Sequence, residues 1–481
     1  QDSWKVNSRL TVNAGLRWEP FIPMHHPFGW ASHFEQSLFD QGTRSQVYRN
    51  APAGMSFPGD PGYPGQSVSF GRKNQLAPRL GLVWDPQGNG RMTVRASYGI
   101  FYDTPHLFFN TRFANNPPWG AQITLSNPAG GFTNPWLTYP GGNPFPALTA
   151  VSPNSQFPLF GIYVNSPLHL KPTYLQQWNL SLQRQTGEWL LAASYLGNKS
   201  THLWTGRELN PAVFGPGATL ANTNQRRALY RQNQAQGQYY GTIGQIDDGG
   251  TSNYNGLLLS AQRRLSRNFS VLANWTLSHC ISDPATTEIT GPTYMNPSSR
   301  GADRANCDSD RRHVVNLSFV ARAPRISNRI FGLFAGGWQF SGIVRRQSGN
   351  YATVTTGVDN ALTGVAALQR AVQVLANPYD SNRTVDHYLN RSAFASPATG
   401  TYSSLRPFTV LNPSSLQIDL GLSRIFKITE AQNIQFRWEV FNAPNRLNAN
   451  APITTLNDAN FGKILSAQNP RIMQFALKYV F

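Results

Sequence analysis

Few side chains in this sequence sit at spacings that chemistry needs. Of its nine histidines only His25 and His26 adjoin. Neighbours on an extended chain point to opposite faces, so the pair suits shared metal ligation poorly, and a solvated loop is the simpler reading. Asp308 and Asp310 offer oxygen ligands in Asn306-Cys307-Asp308-Ser309-Asp310. The Gly and distal Glu of a calcium loop are missing, so pairing with Arg311 and Arg312 is expected instead. No G-x-S-x-G elbow nominates a nucleophile. The reading is therefore of a protein that is not an enzyme, with no catalytic residue, metal set or cofactor. Cys280 and Cys307 lie outside any C-x-x-C motif and have no His/Cys cluster that suggests zinc. They flank one loop, which a disulfide would close in an oxidising compartment; two free thiols are the alternative.

Charge adds a second clue. Lys and Arg number 41 against 23 Asp and Glu, a formal net charge of +18. Nucleic acid is the first partner such a balance suggests. The cations, however, recur as separate pairs near strand ends: Arg226-Arg227, Arg263-Arg264, Arg311-Arg312 and Arg345-Arg346. Anionic lipid headgroups or an anionic substrate fit that spread better, and no nucleic-acid partner is expected.

These side chains must be positioned by elements that a low charge content can support. Charged residues make up 13%, hydrophobic residues 40% and aromatics 12%, whereas ordinary soluble domains carry about 25% charge. No apolar run reaches the ~18 residues of a membrane helix. The longest candidate, 332–344, is broken by Gly336, Gly337, Gln339 and Ser341. Nor does a basic, then apolar, leader follow Gln1.

The dominant pattern is period-two alternation. Met473, Phe475, Leu477, Tyr479 and Phe481 fall on one face of an extended chain, with Gln474, Ala476, Lys478 and Val480 on the other. The same alternation runs through Leu10–Glu19, Leu416–Ser423 and Ile434–Val440. Similar segments near 76–86, 92–103, 174–185, 189–198, 254–265, 268–281, 312–322 and 337–348, with a short piece near 2–6, bring the count to about 13 strands of about 10 residues, the length of a tilted membrane strand. Short turns near 87–91, 186–188, 266–267 and 429–432 alternate with long polar stretches near 22–75, 104–172, 201–252, 282–310, 349–413 and 444–470. Residues 361–376 suggest a short loop helix.

An all-β, antiparallel transmembrane barrel follows, with short periplasmic turns and long extracellular loops. Only helices and closed barrels satisfy every backbone group in hydrocarbon. Trp18, Trp84, Tyr98, Tyr102, Trp178, Trp275, Trp338, Trp438 and Tyr479 are assigned to the outward face, where amphipathic rings favour bilayer interfaces. Arg17, Glu19, Arg95, Arg345, Arg437 and Glu439 are assigned to the lumen, paired among themselves or with a plug.

Several stretches resemble TonB-dependent receptors, and the Oar-like subgroup, abundant in acidobacteria, most of all. They include Gln1-Asp2-Ser3-Trp4-Lys5-Val6 with Arg9–Glu19, Phe57-Pro58-Gly59-Asp60-Pro61-Gly62, Ala96–Asp103, Thr276–Asp283, Asp310–Val315 and Gln347-Ser348-Gly349 followed by Thr355–Asn360. The tail resembles it most: Phe436–Asn442, Phe461-Gly462-Lys463-Ile464 and Pro470–Phe481. The resemblance implies a barrel of 22 or more strands around a plug, driven by the TonB complex. Residues 1–481 would then be the C-terminal part of that barrel, with the plug and N-terminal domain outside this chain; a reduced, plugless barrel is the alternative. Phe475, Leu477, Tyr479 and Phe481 match the terminal signal read by the barrel-insertion machinery. The expected location is the bacterial outer membrane, among its lipid and lipopolysaccharide. The expected function is transport of a large or scarce substrate, such as a peptide, protein or glycan. The rival is a structural or adhesive surface protein.

Overall fold

The computed structural model describes residues 1–103, 108–123, 125, 128–145, 151–266, 268–283, 293–324, 332, 335–365 and 368–481. Thirteen strands form one continuous antiparallel sheet in which each pairs with its neighbours in sequence. They are β1 (Asp2–Asn7), β2 (Leu10–Trp18), β3 (Leu76–Trp84), β4 (Met92–Tyr102), β5 (Tyr174–Thr186), β6 (Trp189–Glu208), β7 (Tyr240–Ser266), β8 (Phe269–Ser282), β9 (His313–Arg322), β10 (Trp338–Gln347), β11 (Ser415–Lys427), β12 (Asn433–Phe441) and β13 (Ile472–Val480). The thirteen strands expected from alternation are all present.

Strand-to-strand register preserves the pleat across the whole sheet. Leu80 lies opposite Tyr98, Tyr98 opposite Trp178, and Leu180 opposite Tyr195. Further along, Trp275 faces Leu259 and Val315, and Trp438 faces Leu422 and Phe475. Directly opposed residues share a face, so the nine aromatic residues assigned outward stand on one side of the sheet. That side carries Leu16, Trp18, Leu80, Leu180, Leu191, Phe475 and Leu477, all exposed. An exposed apolar face this wide has no place in water; hydrocarbon is the solvent it matches.

Connections alternate between the two ends. Residues 8–9, 85–91, 187–188, 267–268, 323–337 and 428–432 join strands at one end, and 19–75, 103–173, 209–239, 283–312, 348–414 and 442–471 at the other. In the turn after β3 the Asp85 carboxylate accepts from the Gly88 and Gly90 amides at 2.9 and 2.7 Å. Both glycines have positive φ, 69° and 72°, which a side chain would resist. Of the turn assigned to 266–267, Arg267 lies outside the described residues.

Two expectations need correction. β6 and β7 run to Glu208 and back from Tyr240, well past the segments read from alternation. The added part lacks alternation because loops cover it: Trp204, Tyr240, Ile243 and Ile246 are buried. The loop helix expected over 361–376 is also absent among the described residues. Thr355 bridges Arg370, and Val372–Gln373 pairs with Phe394–Ala395.

The long loops are packed rather than merely polar. One apolar cluster joins Phe34, Phe39 and Phe57 to Phe157, Leu229 and Tyr240. A second cluster centres on Phe113, Leu170, Trp204 and Ile246. A third joins Val354, Leu389 and Val410 to Leu456 and Phe461. Together they form a cap over one end of the sheet.

Leu180 and Gln177 lie on opposite faces of β5, and both are exposed. Leu180→Arg is expected to destabilise the membrane-embedded protein by about 2–4 kcal/mol, and Gln177→Arg by much less. Urea midpoints in lipid vesicles check this; equal losses would mean the two faces do not differ in solvent.

Candidate functional site: the polar face and its cap

The second face of the sheet carries the residues that chemistry could use. Arg17 is opposite Ala77, and Gly15 opposite Arg79. Val83 faces Arg95, which in turn faces Ser181. Asn316 faces Arg345, and Arg345 faces Gln417. Gly421 is opposite Glu439, and Ser423 opposite Arg437. Followed strand by strand, Arg17, Arg95, Arg345, Arg437 and Glu439 share this face, and Glu19 follows Arg17 on it just beyond the end of β2.

They do not converge on one point. Arg17 Nε lies 2.6 Å from Glu19 Oε1, and Arg437 Nη1 3.7 Å from Glu439 Oε1. Glu19 also accepts from the Tyr102 amide at 3.4 Å, which ties the end of β2 to β4. Arg95 and Arg345 stand on distant strands. Sequence reasoning passed over Arg79, whose guanidinium lies 4.6 Å from the centre of the Phe101 ring, and Asp419, which accepts from Gln417 at 2.7 Å. Their strand parity was the signal that could have found them. A concavity of about 620 Å³ lies on this face between Leu272, Ser318, Ile343, Asp419 and Glu439.

Above the polar face the cap is tied by charge. Arg300 reaches Asp247 of the β7 extension at 2.5 Å and the Tyr294 hydroxyl at 3.0 Å. Arg304 donates to Thr251 Oγ1 at 2.7 Å and lies 3.4 Å from Asp283. Arg370 pairs with Asp303, and both side chains are buried. Burial raises the Asp303 carboxyl above its ordinary range, with Arg370 opposing the shift. Cys280 and Cys307 are joined in a disulfide, with Cα atoms 5.4 Å apart.

The expected pairing of Asp308 and Asp310 with Arg311 and Arg312 is not what the structure contains. Asp310 pairs with His279 Nδ1 at 2.9 Å and accepts from the Cys280 amide at 3.0 Å. The Asp308 carbonyl accepts from Asn350, and Arg311 donates to the Ser348 carbonyl. The Asp310 carboxylate therefore turns to β8, next to the Cys280–Cys307 disulfide. His25 bridges Ser67, whereas half-buried His26 packs edge-on to Phe113. Burial pushes the His26 imidazole below its ordinary value. Among the described residues no three His, Cys, Asp or Glu side chains converge as metal ligands would. Phe475, Leu477 and Tyr479 in β13, and Phe481 just beyond it, are exposed.

Residues 1–474 match the outer membrane beta barrel domain. The chain belongs to that family. This outer-membrane barrel thus has lipid against its apolar face, and no helix among its described residues is long and apolar enough to cross a membrane. No curated protein matches its sequence. Solved structures with a similar fold include the outer membrane transporter YddB from Escherichia coli, at 12% identity over 84% of this chain and 40% of that one, with a TM-score of 0.46. The siderophore receptor PirA from Acinetobacter baumannii is 12% identical over 100% of this chain and 44% of its own, with a TM-score of 0.45. A ferric enterobactin receptor from Pseudomonas aeruginosa is 11% identical over 86% and 40%, with a TM-score of 0.43. The chain therefore spans less than half the length of these structures.

Removing Arg370 strands the Asp303 charge in the cap. Arg370→Ala is expected to cost the contact between loops 283–312 and 348–414 about 3–5 kcal/mol. Hydrogen exchange should show faster amides at 293–304 and 369–373 and an unchanged sheet. Unaltered exchange in those segments would show that the pair does not hold the cap.

Proposed function

We propose that this outer-membrane barrel forms the wall and extracellular loops of a TonB-dependent transporter for a large or scarce substrate of the peptide, protein or glycan class. The observation that carries this reading is a single polar face, continuous through thirteen strands, beneath a folded cap. A polar lumen is what a permeating or bound substrate needs, and packed loops offer fixed geometry for recognising it. In this reading residues 1–481 are the C-terminal part of the barrel. A plug contributed from outside these residues would meet Arg17, Glu19, Arg95, Arg345, Arg437 and Glu439, and would couple to TonB. The Oar-like, acidobacterial type is the subgroup proposed. Its other partners would be lipopolysaccharide and the insertion machinery.

The test is to purify the native protein from detergent-extracted outer membranes, determine its intact mass and peptides, and measure binding to the periplasmic domain of TonB. The expected result is a mass far above 53.3 kDa, plug peptides preceding Gln1, and TonB binding. A mass near 53.3 kDa without TonB binding would overturn transport in favour of a structural or adhesive surface protein.

Phe481 gives a separate check on assembly. Its deletion is expected to lower the amount of folded protein in the outer membrane while leaving refolding into detergent unchanged. Equal loss in both would assign the terminal aromatics a packing role alone.

A further inference from the structure

The lipid-facing side carries cations as well as aromatics, and they are not spread evenly. Arg184 pairs in register with Met92 on one side and Leu191 on the other, so it shares the face of exposed Leu182 and Leu191. Trp189 lies opposite Arg263 on the same face. From a strand spacing of about 4.8 Å and a rise of about 3.4 Å, the Cα atoms of Arg184 and Arg263 are about 12 Å apart, within joint reach of one headgroup.

These arginines differ in what already occupies them. Arg263 lies 2.6 Å from Glu188 Oε2 and 5.6 Å from the centre of the Phe269 ring. Arg184 is exposed, and among the described residues no carboxylate pairs with it. Arg424, also lipid-facing, is by contrast buried over Trp338 and Phe426 and donates to the Gly332 carbonyl. Two arginines against one glutamate leave a net positive patch beside Trp189. It sits at the short-turn end, the periplasmic end of an outer-membrane barrel.

We propose that this patch binds the headgroup of an anionic phospholipid from the periplasmic leaflet. Guanidinium groups match phosphodiester oxygens in geometry and charge. Trp189 stands where an indole favours the headgroup level, and Leu182 and Leu191 lie alongside for the acyl chains. That apolar flank is the reason to assign a lipid rather than a soluble phosphate.

The test uses the full protein, extracted from outer membranes and moved into nanodiscs of phosphatidylethanolamine with a minor fraction of phosphatidylglycerol. Native mass spectrometry counts the lipids that stay bound. Phosphatidylglycerol should be retained over phosphatidylethanolamine. Arg184→Gln and Arg263→Gln should each lower that retention about five-fold, the effect of one cation at an anionic surface. Arg184→Lys should keep most of it. Lys199→Gln, on the same face but further from the short turns, should change nothing. Equal retention of the two lipids, or wild-type retention in Arg184→Gln, overturns the proposal. Release of the lipid by glycerol 3-phosphate also overturns it, in favour of a small-anion site. If Arg263→Gln does not fold, Arg184→Gln decides alone, because its exposed side chain holds no ion pair among the described residues.

Discussion

Everything in this molecule depends on the pleat keeping its parity. In hydrocarbon each backbone amide and carbonyl must be paired, and here each inner strand of the sheet is bonded on both sides. A one-residue slip between any two strands would turn every later side chain to the wrong solvent. Arg345 would then meet acyl chains and Phe475 the lumen. The register shifts that do occur at membrane depth lie beside turns, between Lys5 and Asn7 and between Arg263 and Ser266. The large irregularity in β7, between Asp247 and Gly250, falls in its extension, where the cap rather than lipid covers the strand.

That constraint explains what could be read in advance. Where one face meets lipid, the sequence must alternate, and Leu416–Leu422 or Ile434–Val440 therefore declares itself. Tyr240–Asn253 does not, because loops bury both of its sides and the apolar residues lose their period. The 361–376 segment misled through its Ala, Val and Leu content. Ala371 joins the apolar cluster around Val354 and Leu389, whereas Val374 and Leu375 are exposed, and a cross-loop bridge from Thr355 to Arg370 stands in place of helical bonds.

The polar face was legible for the same reason as the apolar one. Arg17, Arg95 and Arg437 were visible as the off-beat residues of apolar strands, and the pairing of Arg17 with Glu19 follows from their i, i+2 spacing on one face. The cap was not legible. Asp303 meets Arg370 across 67 residues, and His33 meets the Ser166 carbonyl across 133. No local pattern encodes such meetings. The link from Asp310 to His279 shows the same limit at shorter range: adjacency to Arg311 suggested one partner, and the course of the loop supplied another.

The cap also bears on the order in which the protein is made. Each wall strand finds its partner in the next segment of chain, so the wall can grow hairpin by hairpin from local contacts. The Tyr240 hydroxyl, in contrast, donates to the Ala53 carbonyl across 187 residues, and the first apolar cluster draws on three separate loops and the β7 extension. Contacts of such long range form late, since loop closure must precede them. The cap is then a product of a nearly finished wall, and its loops must cross the membrane before they can fold.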